Sequence, residues 1–145
     1  MEYDQLKLKN QLCFPVYAAS RLITRAYQPH LEALGLTYPQ YLVLMVLWEE
    51  DMLPVNDIAE KLILNTNTIT PLLKRMESNG LLSRQRSTED ERKVFVKLTA
   101  EGIKLREKAA SVPQALVDEI DAEDLSVEEL IQLKETLTKL IRSLE

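Results

Sequence analysis

One cysteine, Cys13, is too few for an internal disulfide, so a secreted, cross-linked scaffold is excluded. His30 is the only histidine and has no second histidine or further cysteine to share a zinc ion, so it reads as a surface or interface residue and no metal is expected. With three glycines the chain offers no phosphate-cradling loop, and it has neither a nucleophile elbow nor paired catalytic carboxylates. No cofactor is therefore expected, and no enzymatic activity. No apolar run approaches the ~20 residues of a membrane span. The start, Met1-Glu2-Tyr3-Asp4, lacks the basic residues and apolar core of a signal peptide. The expected location is the cytoplasm.

What the chain does have is enough apolar content, 46% of 145 residues, for one domain with a core, and an uneven charge. The net charge of −5 argues at first against a polyanionic partner. Between Lys74 and Lys97, however, seven basic residues (Lys74, Arg75, Arg84, Arg86, Arg92, Lys93, Lys97) face four acidic ones, a local excess of +3 on an acidic body. One basic surface is all that phosphate contacts need. An ordinary solvated charge run gives the same count.

The order of elements favours the first reading. Apolar residues recur at helical spacing from Leu6 to Leu34, with Pro15 and Pro29 kinking or capping the helix and Gly35 ending it. Thr37 with Gln40 makes a capping box ahead of the apolar run Tyr41 to Trp48, so a second helix should start near Tyr38. Pro54 opens a short helix with Val55, Ile58, Ala59 and Leu62 inward. After the link Ile63-Leu64-Asn65, a segment from Thr68 to Asn79 capped by Asn65 or Thr66 and closed by Gly80 completes a helix-turn-helix. The period then changes to two. Leu81 to Arg86 and Lys93 to Leu98 read as strands joined by a charged tip, a wing.

Thr99 caps a further helix, expected to bend at Pro113. Ser126 and Glu129 form a second capping box before a last helix whose Leu130, Leu133, Leu137, Leu140 and Leu144 make a broad stripe. The acidic run Glu49-Glu50-Asp51 is expected to end the second helix in solvent. The fold class is thus mainly α with a small β-hairpin wing. Residues 37–99 form a winged helix-turn-helix, and 1–36 with 100–145 form a helical dimerisation region. For the two ends, an intrachain core is the other reading.

A symmetric winged-helix dimer places each recognition helix in a major groove, N-terminal residues at the base edges, on half-sites roughly 34–36 Å apart in a near-palindromic operator. Those residues here are Thr66, Asn67, Thr68 and Thr70, short hydrogen-bonding side chains suited to bases and phosphates. Lys74 and Arg75 follow as backbone anchors. Arg84, Arg86 and Arg92 flank the wing, and one at its tip is suited to a minor groove. Asp90 fits as the partner that orients Arg92.

The motifs Gly80-Leu81-Leu82-Ser83-Arg84, Asp90-Glu91-Arg92 and Leu98-Thr99-Ala100-Glu101-Gly102 resemble the wing signature of the MarR family of bacterial winged-helix regulators. Gln11-Leu12-Cys13-Phe14, Thr37-Tyr38-Pro39-Gln40-Tyr41 and Thr68 to Glu77 are similar to the organic hydroperoxide resistance regulators of that family. The resemblance implies a dimeric repressor that leaves double-stranded DNA when Cys13 is oxidised by an organic hydroperoxide, with Tyr17, Tyr27 and Tyr38 as the tyrosines around the thiol. Many relatives carry Asp-Ser-Gly-Thr where this chain has Asn65-Thr66-Asn67-Thr68, which removes a capping carboxylate and adds a side chain at the groove.

Position alone allows two fates for Cys13, an inert core thiol or a tuned one. If Cys13 and Tyr27 share a helix they lie about 21 Å apart. Tyr27 then reaches the thiol from another subunit or across a sharp helix break. Phenolic hydrogen bonds stabilise the thiolate, which is the reactive form. With no second cysteine to trap a sulfenic acid, a low-molecular-weight thiol is the expected resolving partner, and excess oxidant gives sulfinic or sulfonic acid. Either adduct at a packed interface is expected to shift the subunits. Two alternatives use the same chain: a MarR-type repressor released by a small aromatic or drug-like ligand, with Cys13 structural, and a peroxidatic enzyme, which lacks an arginine plainly placed beside Cys13.

Overall fold

Pro15 settles where the first long helix begins. In the computed structural model, which describes residues 2–145, helix α1 runs Cys13–Glu32 with Pro15 in its first turn, where the missing N–H would have had no carbonyl partner. The apolar period read from Leu6 therefore overshoots the helix. Two short 3₁₀ turns, Asp4–Leu6 and Leu8–Asn10, precede it. Pro29 sits in the last turn, and Gly35 at φ +72° ends the helix as its spacing suggested, with Leu36 N–H returned to the carbonyl of Leu31 at 2.9 Å.

Helix α2, Tyr38–Glu49, starts at a complete capping box. The Thr37 hydroxyl accepts from Gln40 N–H at 3.4 Å, and the Gln40 side chain accepts from Thr37 N–H at 3.1 Å. Gln40 is buried, and this cap satisfies its side-chain oxygen. Tyr41, Val43, Leu44 and Leu47 of α2 are buried as well, so this helix runs through the core rather than along its surface.

Helices α3, Val55–Leu62, and α4, Thr66–Ser78, form the helix-turn-helix. Ile63 takes φ +56° between them, a left-handed conformation that costs a β-branched residue roughly 1–2 kcal/mol and turns the chain sharply. Asn65 caps α4, its side chain accepting Thr68 N–H at 3.0 Å, so the helix starts at Thr66, ahead of the Thr68 read from the pattern. Strands β2, Leu82–Arg86, and β3, Val94–Leu98, pair antiparallel, Leu82 opposite Leu98 and Arg86 opposite Val94. The pattern missed a third strand. Leu53–Pro54, here β1, pairs with the far edge of β3, so the wing belongs to a three-stranded sheet ordered β1-β3-β2.

Leu31, Leu44, Leu47, Ile58, Ile69, Leu73, Met76, Leu82 and Val96 are each under 2% exposed and draw α1, α2, α3, α4 and the sheet onto one core. Helix α5, Ala100–Ala109, is capped by Thr99, whose hydroxyl accepts Gly102 N–H at 3.2 Å and donates to the Gly80 carbonyl at 2.6 Å. Trp48 Nε1 donates to the Gly102 carbonyl at 2.9 Å. These bonds fix the base of the wing to α2 and α5. Glu49, Glu50 and Asp51 are exposed, as expected, and Asp51 also accepts from Met52 N–H and Leu98 N–H at 2.8 and 2.9 Å, tying the end of β3 to the turn after α2.

The chain divides into two compact units after Val112. The expected bend at Pro113 is a full break at Ala110 and Ser111, and Pro113 sits in the first turn of α6, Val112–Glu119, where proline is tolerated. In the second unit, helix α7, Val127–Leu144, starts at Ser126, whose hydroxyl accepts Glu129 N–H at 3.2 Å. Leu133 and Leu144 of the leucine stripe are exposed, as are Val127, Ile131 and Ile141. No helix of the described residues is long and apolar enough to cross a membrane.

Candidate functional site

Thr66, Asn67 and Thr68 in the first turn of α4 are exposed, with Thr70 half-buried beside them. Pro71 inside the helix removes one N–H, so the carbonyl of Asn67 is left without its usual helical donor next to these side chains. Lys74 and Arg75 are exposed one to two turns on. Across from them the wing carries its own cations. Arg92 is 93% exposed, and Asp90 accepts from both its backbone N–H at 3.0 Å and its Nε at 3.4 Å. Arg86 donates to the Glu91 carbonyl at 3.0 Å, bracing the wing tip.

Arg84 is placed differently from the other two. Its side chain is held by Glu77 of α4, with Nε at 3.3 Å and Nη2 at 3.2 Å from Oε1, while its backbone N–H donates to Oε2 at 2.7 Å. That backbone bond, with the guanidinium bonds and charge, holds the Glu77 carboxyl below the usual carboxylate range against a smaller opposing effect of burial. Arg84, Arg92, Lys93, Thr66 and Thr70 all line one open cavity of about 340 Å³ between α3, α4 and the wing. Two hydrogen-bonding threonines and three cations around a groove suit a phosphate backbone.

The tyrosines lie elsewhere. Tyr27 of α1 and Tyr38 of α2 have ring centroids 5.4 Å apart, and both are near Tyr41, at 6.0 and 6.3 Å. Tyr41 meets Trp48 edge-on at 6.4 Å. Burial pushes the Tyr27, Tyr38 and Tyr41 phenols up, with neighbouring phenols adding to it for Tyr27 and Tyr41. At neutral pH they are therefore neutral hydrogen-bond donors. Beside this cluster is an open cavity of about 420 Å³ between α1 and the start of α2, lined by Arg21, Arg25, Leu31, Leu36 and Tyr38 among others.

Cys13 is exposed at the start of α1. Tyr17, one turn on, shares its face and is exposed, and the Arg21 guanidinium stacks over the Tyr17 ring at 4.5 Å. The helix between Cys13 and Tyr27 is continuous, so the two are about 21 Å apart within one chain. The structure thus brings Tyr27 to Tyr38 and Cys13 to Tyr17, and it separates the two pairs. Sequence reading passed over Glu77, counted only as a charge, and over Tyr41 and Arg21. Arg21 was legible as the next residue of the Cys13, Tyr17 stripe at spacing four. Among the described residues no group of histidine, cysteine and carboxylate side chains is arranged to hold a metal ion.

Residues 25–109 match the family described as transcriptional regulator SarA/Rot. The chain is 47% identical over 143 residues to the organic hydroperoxide resistance transcriptional regulator of Bacillus subtilis (strain 168), covering 99% of this chain and 95% of that protein. AbfR of Staphylococcus epidermidis has been solved in several states. Reduced AbfR bound to DNA matches with a TM-score of 0.80 and 38% identity over 99% of each chain. Overoxidized AbfR bound to DNA gives 0.76 and 37% over all of each chain, and disulfide-formed AbfR 0.65 and 38% over 95% of each. MarR from E. coli, 24% identical with a TM-score of 0.70 over 90% of this chain and 96% of that one, shares the fold. With the winged helix-turn-helix and its basic face in place, the chain belongs to the family of SarA/Rot and organic hydroperoxide resistance transcriptional regulators.

Proposed function

We propose that this chain is a homodimeric, cytoplasmic DNA-binding repressor that senses organic hydroperoxides through Cys13 and then leaves a near-palindromic operator. The observation that supports it most is the division of the thiol site. Cys13 and Tyr17 are exposed at one end of α1, and the neutral donors Tyr27 and Tyr38 cluster at the other. An antiparallel pairing of two α1 helices supplies each thiol with the partner's phenols. Leu12, just before α1, and Phe14, Val16, Leu22 and Ile23 within it leave apolar side chains exposed for such a pairing. The relatives' names agree: one regulates organic hydroperoxide resistance, and AbfR has reduced, overoxidized and disulfide forms.

The Cys13 thiolate attacks the terminal oxygen of the hydroperoxide and the O–O bond breaks; the hydroperoxide's own proton stays on the oxygen now bound to sulfur, and the departing alkoxide takes a proton from solvent to leave as the alcohol. The sulfenic acid so formed condenses with a small cellular thiol, releasing water and leaving a mixed disulfide on Cys13. No second cysteine in the chain competes for that step. Overoxidized AbfR was solved on DNA, so in that protein further oxidation is compatible with binding. Release in this chain is therefore assigned to the mixed disulfide rather than to every oxidised form. A bulky adduct at a packed interface displaces the subunits, and the two recognition helices lose register with the half-sites.

On this reading the chain is a sensor and not an enzyme, so it consumes about one equivalent of hydroperoxide per thiol. A Cys13→Ser variant is expected to bind DNA and keep it when hydroperoxide is added. Release of DNA from that variant would move sensing away from the thiol. The cavity beside Arg21, Arg25 and Tyr38 favours the second reading, a repressor released by a small aromatic acid, and that ligand would release wild type and Cys13→Ser alike.

A further inference from the structure

Glu77 is an acid on the surface meant for phosphates. By charge alone it opposes DNA binding. Its carboxylate nevertheless spends both oxygens on one residue of the wing, taking three donors from Arg84 at 2.7, 3.2 and 3.3 Å. The contact joins α4 to β2 across the tight turn at Gly80, and both side chains are partly sheltered, at 25% and 36% exposure. The Thr99 hydroxyl closes the same turn from the α5 side through the Gly80 carbonyl. Charge-assisted bonds in a fixed fork are the strong kind, and here they set main chain and guanidinium together.

We propose that Glu77 is a positioning residue for DNA recognition, one that fixes the angle of the wing to α4 and holds the Arg84 guanidinium on the wall of the groove shared with Thr66, Thr70 and Arg92. The inference rests on the DNA-binding reading. It adds that a negative charge on this face strengthens binding. An arginine freed from Glu77 regains the rotamers of a long side chain and must lose them again on DNA, and the wing loses its brace to the recognition helix.

The test is a binding titration on a duplex that the reduced wild-type protein selects from a randomised library. Glu77→Gln removes the charge and keeps the size and one acceptor. It is expected to bind about tenfold more weakly than wild type, opposite in sign to removal of a repelling charge. Glu77→Asp keeps the charge but shortens the reach, and it too is expected to bind more weakly. In an Arg84→Ala background, Glu77→Gln should change affinity little, because Glu77 acts through Arg84. Tighter or unchanged binding by Glu77→Gln, or the same loss with Arg84 absent, would overturn the assignment. Enrichment of no duplex by wild type would overturn the DNA-binding reading itself.

Discussion

Tyr27 and Tyr38 lie on different helices with ring centroids 5.4 Å apart, while Cys13, on the same helix as Tyr27, is about 21 Å from it. On the proposed reading, Tyr27 and Tyr38 therefore reach the thiol only from a second copy of the chain, while Tyr17 lies beside it within one. A heterodimer of one Cys13→Ser protomer and one Tyr27→Phe protomer tests this. Its single cysteine faces an intact Tyr27 if the site forms between subunits, and only a phenylalanine if it forms within one. Hydroperoxide is expected to oxidise that cysteine at the wild-type rate, and the Tyr27→Phe homodimer more slowly. Equal, slow rates for both would place the site within one subunit.

Arg92 projects from the wing almost fully exposed, tethered only by Asp90. Replacing it with alanine should weaken DNA binding for all sequences and lower the slope of log K against log salt by about 0.9 for each phosphate it no longer neutralises. Filter binding over a salt series measures both. An unchanged affinity and slope would remove Arg92 from the interface.

Glu77 carries a pH signature in stability. Its folded carboxyl is held below the usual range by Arg84, so the contribution is fully present above the ordinary carboxylate value and is lost as pH falls through the lowered one. The difference in denaturation midpoint between wild type and Glu77→Gln should therefore be constant from neutral pH down to about 5 and shrink below that. A difference that grows on acidification would mean that the pair is not formed in solution.

Gly102 is buried at the start of α5, and a Cβ there would run into the carbonyl oxygen of Leu81 and crowd Leu98. The backbone of Leu81 cannot yield without moving the base of the wing, since it also accepts Thr99 N–H at 3.1 Å. Gly102→Ala is expected to lower stability by about 1–3 kcal/mol, although alanine is the better helix former. Chemical denaturation checks it. A stabilised variant would show that the turn at Gly80 and Leu81 adjusts freely.

Much of this fold was legible because its signals are local. The Thr37 and Gln40 capping box, Gly35, Gly80 and the change of period after Gly80 each name an element boundary within a few residues. What was not legible is what sequence-distant groups decide. Strand β1 is two residues long and exists because β3 offers it an edge, and Asp51 finds the backbone of Leu98 only once the sheet has formed. The start of α1 was misplaced because apolar spacing continues through Leu6 and Leu8, residues left exposed in 3₁₀ turns. The candidate site divides the same way. Cys13, Tyr17 and the cations of α4 and the wing could be named from spacing, whereas the engagement of Arg84 by Glu77 and the joining of Tyr27 to Tyr38 and Tyr41 depend on packing.

The most direct measurement is a DNA-binding titration of one preparation in three conditions, with mass spectrometry on Cys13 in each: reduced, treated with an organic hydroperoxide and a small thiol, and re-reduced. The expected result is tight binding, then a loss of binding in proportion to the fraction of Cys13 carrying the mixed disulfide, then full recovery as that mass disappears. Undiminished binding with Cys13 fully in the mixed disulfide would contradict the switch, as would release of DNA with Cys13 unmodified.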